Sequence, residues 1–174
     1  MYIITAIPGA CGDIVTSVID STNVTLSQHG AIEFARDRNL FKKPKLPELQ
    51  DLLNNMERLR VKYKSISTQH TYPIESILAD PQNVNITIKV NNKHFDWCIN
   101  RLRVFYPRLT FSKDNFNYDI ESHYKFSKFI IELDDVINGR LLSKLDEYKI
   151  PYMDSALYYK WLTLNTKNFP YNFV

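Results

Sequence analysis

Short, nearly continuous apolar runs alternate along this chain with stretches in which apolar residues recur every three or four positions. Tyr2 to Ile7 is a run of the first kind, closed by Pro8 and Gly9, as expected of a strand buried on both faces. Tyr63 to Gln69 reads as a second, more polar strand that ends at His70-Thr71-Tyr72-Pro73. Val84 to Val90 is a third, entered through Asp80-Pro81 and left through Asn91-Asn92, and Phe129 to Leu133 is a fourth. The helical pattern appears between them. Ile14, Val15, Val18 and Ile19 follow Asp13, a good N-cap. Leu49, Leu52, Leu53, Met56 and Leu59 form one stripe, and Phe95, Cys98, Ile99, Leu102 and Phe105 another. Ile137, Leu141, Leu145 and Tyr148 fall on one helix capped by Asp134 or Asp135, and Leu157, Tyr158, Trp161 and Leu162 on a last one.

Strands that alternate with helices imply right-handed crossovers. The expected architecture is α/β: a three-layer sandwich whose central, mostly parallel sheet of four to five strands is flanked by helices, with residues 1–174 forming a single domain. Residues 23–45 are polar and irregular, with Lys42, Lys43, Pro44 and Lys45 near their end, and predict an excursion or lid.

Composition narrows the partners. The 174 residues are 44% hydrophobic and 24% charged, ordinary for a chain with one core. A net charge of +3 permits an anionic small molecule but lacks the clustered positive charge of a dedicated nucleic-acid binder. Cys11 and Cys98 are far apart and form no metal-type pair, so the reducing cytoplasm is the expected compartment. Met1 to Ile7 lacks the basic start of a signal peptide, and no stretch approaches a membrane span.

In a parallel sheet, ligands bind beyond the carboxyl ends of the strands, where loops meet helix N-termini. Four loops should gather there: Pro8 to Asp13, His70 to Pro73, Lys89 to Lys93, and the Asp134-Asp135 turn. Two of the four glycines of the chain, Gly9 and Gly12, lie in the first. Glycines let backbone N–H groups approach a phosphate or sulfate, and a helix starting near Asp13 adds its dipole. The glycines are three apart with no lysine after them, so this is not the Gly-x-x-x-x-Gly-Lys-Ser/Thr loop. The alternative is a tight strand-to-helix turn with Asp13 as its cap. Cys11, in the same loop, carries a thiol that a helix N-terminus would acidify. His70 suits a general base or phosphate donor, or else a hydrogen bond within the turn before Pro73. His94, Trp97 and Arg101 share a helical face able to hold a ring and a phosphate, or simply to pack. Asp134 and Asp135 read as a helix cap in preference to a magnesium pair. Lys89, Lys93 and Arg103 are single basic residues of the kind usually solvated.

The run Ile3-Ile4-Thr5-Ala6-Ile7-Pro8-Gly9-Ala10-Cys11-Gly12, the later His70-Thr71-Tyr72-Pro73, the stretch ending in Trp97 and Arg101, and Phe129 to Asp135 with the helix behind it together resemble the P-loop-containing nucleoside triphosphate hydrolase superfamily, in its sulfotransferase-like branch. The order of elements matches over nearly the whole chain. The resemblance implies 3′-phosphoadenosine 5′-phosphosulfate as the sulfo donor, held by Gly9, Ala10, Cys11, Gly12 and Asp13. It further implies His70 as the base and Arg101 as a contact to the 3′-phosphate. The family's loop has lysine or arginine where Gly9 or Ala10 stands, and threonine or serine where Asp13 and Ile14 stand. Two other readings fit the same fold: a catalytically inactive module that binds a nucleotide or a protein, and a small-nucleotide kinase, which would need the loop lysine.

Overall fold

A computed structural model of the chain describes residues 1–33, 46–69, 75–108 and 124–170. Its centre is a four-stranded, wholly parallel sheet. The strands are β1 (Tyr2–Ala6), β4 (Ser65–Gln69), β5 (Val84–Lys89) and β6 (Phe129–Glu132), in the order β4-β1-β5-β6. Tyr2 pairs with both Ser65 and Val84, and Ile86 with Phe129, so all four strands end along one edge.

Alternation along the strands divides the apolar residues between the two faces. Ile3 and Ile66 join Met56 and Leu59 of α2 (Leu46–Lys62), Tyr63 just after it and Ile77 of α3 (Glu75–Leu78) in one small cluster. Ile4, Ala6, Ile86, Ile88 and Ile131 enter a larger cluster. That cluster takes in α1 (Gly12–Ile19), α4 (Phe95–Phe105), α5 (Leu133–Ile137), α6 (Leu141–Glu147) and α7 (Ser155–Asn168). Buried Asp20 fastens the end of α1 to the start of β4, accepting from Lys64 N–H at 2.7 Å.

Three features depart from the sequence reading. Part of the stretch expected to be irregular is a hairpin, β2 (Thr25–Leu26) with β3 (Ile32–Glu33), whose turn is held by Ser27 and by Gly30 at φ +83°. Residues 34–45 of that stretch lie outside the described residues. The single helix expected from Asp134 to Tyr148 is two, because Gly139 turns the chain at φ +81° between α5 and α6. Tyr158 holds the break: its hydroxyl donates to Val136 O at 2.7 Å and accepts from Leu141 N–H at 3.3 Å. Finally, Asp134 and Asp135 lie in the first turn of α5 and the N-cap is Glu132, while the N-cap of α1 is Cys11 and not Asp13. Among the described residues no helix is long and apolar enough to cross a membrane.

Candidate functional site

The first loop begins with a β-turn. Ala10 N–H donates to Ile7 O at 3.1 Å, Pro8 fills the second position, and Gly9 follows at φ +77°. Pro then a positive-φ glycine is the type II pattern. Cys11 is also left-handed, at φ 65° and ψ 21°, and leads into Gly12 as the first residue of α1. The opening N–H groups of a helix have no intrahelical partner, so this end of α1 carries donors and a positive dipole end. Gly9 is required for a second reason: a Cβ there would stand 2.5 Å from Cys98 O of α4.

Behind the loop lies Arg101, only 1% exposed. Its Nη1 donates to Gly9 O at 2.6 Å and to Cys11 Sγ at 2.9 Å. Four rings surround the guanidinium: Trp97 at 5.1 Å, Phe105 at 5.2 Å, and Trp161 and Phe169 at 5.7 Å. Such stacking favours a desolvated cation by about 2 kcal/mol. Among the described residues Nε and Nη2 have no hydrogen-bond acceptor. Arg101 therefore supports the loop from within, and a phosphate reaches it only if the loop or the rings move. The Trp97–Arg101 pairing follows from helical spacing. The other walls, Trp161 and Phe169, come from distant sequence with no local signal.

Burial pushes the Cys11 thiol well above its usual range, with the Arg101 charge pulling the other way, so the acidified thiol expected at this helix start is not found. Burial likewise pushes Cys98 up to about 12. Asp13 is half-buried in the first turn of α1. Its carboxyl is raised, chiefly by burial, against the opposing pull of Arg101 and of the N–H groups of Ile14, Asp13 itself and Ile32. Burial, with smaller contributions from the charges of Asp13 and Glu33, raises the hydroxyl of Tyr106. Among the described residues the mouth of the loop is thus acidic, and the Arg101 cation behind it is enclosed.

The other strand ends are tied together by charge. His94 is fully buried; its Nδ1 accepts from Asn91 N–H at 3.2 Å and its Nε2 lies 3.1 Å from Asp134 Oδ1. The ring accepts at Nδ1 and faces Asp134 with Nε2, so His94 pins the end of β5 to the start of α5. Lys93 Nζ reaches the second Asp134 oxygen at 3.2 Å. Burial opposes ionisation of Asp134, but Lys93 and His94 together hold it below the usual carboxylate value. Asp135 pairs with Arg140 at 2.8 Å, and Lys89 with Glu132 at 2.7 Å. Among the described residues no group of three metal-type side chains is assembled. His70 lies outside the described residues.

Gly9, Ala10, Cys11, Gly12, Asp13 and Arg101 are thus gathered at one place. The His94–Asp134–Lys93 link was missed in sequence because its partners are 40 residues apart. Comparison with protein-family models, curated proteins and solved structures finds no match.

Proposed function

We propose that the chain is a sulfotransferase-like P-loop protein that binds an adenine nucleotide of the 3′-phosphoadenosine 5′-phosphosulfate type, with Gly9 to Asp13 around its phosphosulfate. One observation carries this reading. A strand in the interior of a parallel sheet ends in a type II turn and a left-handed Cys11 that deliver the chain directly into the first turn of α1. That geometry collects backbone N–H donors at the carboxyl edge, where an anionic group is favoured. In the proposed reaction an acceptor hydroxyl oxygen bonds to sulfur as the bond from sulfur to the 5′-phosphate oxygen breaks. The hydroxyl proton passes to a base, the role proposed for His70, and adenosine 3′,5′-bisphosphate leaves. The loop N–H groups would balance the charge on the departing phosphate.

A second reading, a non-catalytic nucleotide-binding or protein-interaction module, is favoured by Asp13. Its carboxylate faces the same amides an anion would use, and Arg101 is occupied by Gly9 and Cys11. The test is titration with adenosine 3′,5′-bisphosphate, ATP and GTP, with and without magnesium, followed by melting temperature and calorimetry. A nucleotide that binds only the native state raises the midpoint. We expect preference for the 3′-phosphorylated nucleotide without need of magnesium, and tighter binding by Asp13→Asn, since a site elsewhere would not respond to that change. Magnesium-dependent binding of ATP would favour the kinase instead. No binding by either wild type or Asp13→Asn would refute a nucleotide site and leave the interaction module.

A further inference from the structure

β6 is an outer strand of the sheet, and an open groove of about 420 Å³ lies against it. Lys89, Glu132, Asp135 and Lys144 supply its charged walls, and Ile130, Tyr124 and Tyr148 its less polar ones. Ile130 and Glu132 alternate with buried Ile131, and Lys89 of β5 is in register with Glu132. Tyr148 stacks on Phe129 at 4.7 Å and donates its hydroxyl to Ile130 O at 2.8 Å. Its ring is thereby held in one plane, and that carbonyl of the outer strand already has a donor.

The charges around the groove cancel in pairs. Lys89 Nζ meets Glu132 Oε1 at 2.7 Å, Lys144 Nζ meets Glu147 Oε2 at 2.8 Å, and Arg140 Nε meets Asp135 Oδ1 at 2.8 Å. An anion drawn to either lysine therefore also meets Glu132 and Asp135, and a cation drawn to those carboxylates meets the lysines. A single charge of either sign gains little, because repulsion from one partner offsets attraction to the other. The two lysine pairs are nonetheless open to solvent, with side chains 31–58% exposed. Glu132 Oε2 is enclosed and takes no part. An ammonium has three donors and a carboxylate several lone pairs, so both lysines keep donors, and Glu147 keeps acceptors, beyond the contacts named.

We infer that this groove is a binding site for a neutral saccharide. A hydroxyl both donates and accepts, so neighbouring hydroxyls of one sugar ring meet the Lys144 ammonium and a Glu147 oxygen together, and Lys89 takes a further one. Exposed ion pairs add little net stability, so a hydroxyl that joins one gives up little. The C–H face of the sugar lies on Ile130, which is 38% exposed, and against the rings of Tyr124 and Tyr148. The volume falls within the range of small-molecule sites. An extended peptide also alternates donors and acceptors, but it would pair along the edge of β6, where Tyr148 already covers the Ile130 carbonyl. The inference is independent of whether the first loop holds a nucleotide.

The full chain is titrated by ligand-observed NMR at millimolar concentration with the methyl glycosides of glucose, galactose and mannose, and with lactose and maltose. Glucuronate, glucosamine and a tripeptide blocked at both ends serve as the charged and peptide counterparts. A neutral sugar should bind more tightly than either charged one, and added salt should leave its affinity unchanged, since no net charge is neutralised. Lys144→Met should weaken that sugar about tenfold, as expected for loss of a hydrogen bond to a charged group, while the melting transition remains cooperative. Tyr124→Leu removes a ring wall and should weaken it as well; Lys144 is a surface side chain, so its variant reports even if Tyr124→Leu destabilises. No binding of any sugar, charged forms bound as tightly as neutral ones, unchanged affinity in both variants, or binding of the tripeptide alone overturns the inference.

Discussion

The close approach of the first loop to α4 gives a prediction whose size follows from the backbone. Gly9 and Gly30 have nearly the same conformation, φ +77° and +83°, but different surroundings. A Cβ at Gly30 would touch nothing nearer than 3.7 Å, whereas at Gly9 it would meet Cys98 O at 2.5 Å and Cys98 C at 3.0 Å. Both Gly→Ala changes incur the left-handed penalty of an L-residue, about 1–2 kcal/mol. Only Gly9→Ala must also push the loop off the helix backbone, an overpacking cost of about 1–3 kcal/mol. At about 3 °C per kcal/mol for a chain of this length, Gly30→Ala should lower the melting temperature by about 3–6 °C, and Gly9→Ala by about 6–15 °C. Differential scanning calorimetry of the two variants beside the parent measures this. Equal losses would refute the close approach, and with it the position of the loop against α4 on which Arg101 depends.

Other outcomes follow from the same geometry. Arg101→Met should cost about 1–3 kcal/mol in chemical denaturation, because Gly9 O loses its donor while the unpartnered Nε and Nη2 go with the side chain. Arg101→Lys should not restore it, since a point charge cannot lie flat among four rings. The Asp13 carboxyl is raised in the fold, so its contribution to stability is fully present below the unfolded carboxylate value and is lost as pH rises through the folded one. Asp13→Asn should therefore be the more stable protein at neutral pH, with the advantage shrinking on acidification; a wild type as stable as the variant at pH 7 would contradict the assignment. Asp134 is shifted the opposite way, so its contribution is present above the unfolded value and lost as pH falls through the depressed one. Asp134→Asn should flatten that acid limb of the stability profile.

The parallel sheet was legible because its strands are apolar runs punctuated by Pro8-Gly9, Asp80-Pro81 and Asn91-Asn92, and because period changes mark the helices. The hairpin was not, since strands of two residues carry no period and Leu26 and Ile32 find their reason only against the core. The division of α5 from α6 was hidden because an apolar stripe passes through Gly139 undisturbed, and the turn is visible only as a positive φ. At the loop, Gly9 and Gly12 marked the place, but nothing local revealed that Arg101 turns inward. That depends on Trp161 and Phe169, which supply two of its four walls. An arginine in a helical pattern reads the same whether it meets solvent or rings.

Those two late residues also set the order in which the protein is completed as it is made. Trp97 Nε1 donates to Phe169 O at 3.0 Å across 72 residues of sequence. At about 5–20 residues per second, roughly 4–14 s of synthesis separate Trp97 from that partner. Until then Arg101 has two of its rings and Gly9 leans on a helix whose outer side is open. The first loop to emerge is thus among the last parts of the chain to become rigid, and a nascent chain stalled before Trp161 would carry strand β1 with its loop still unsupported.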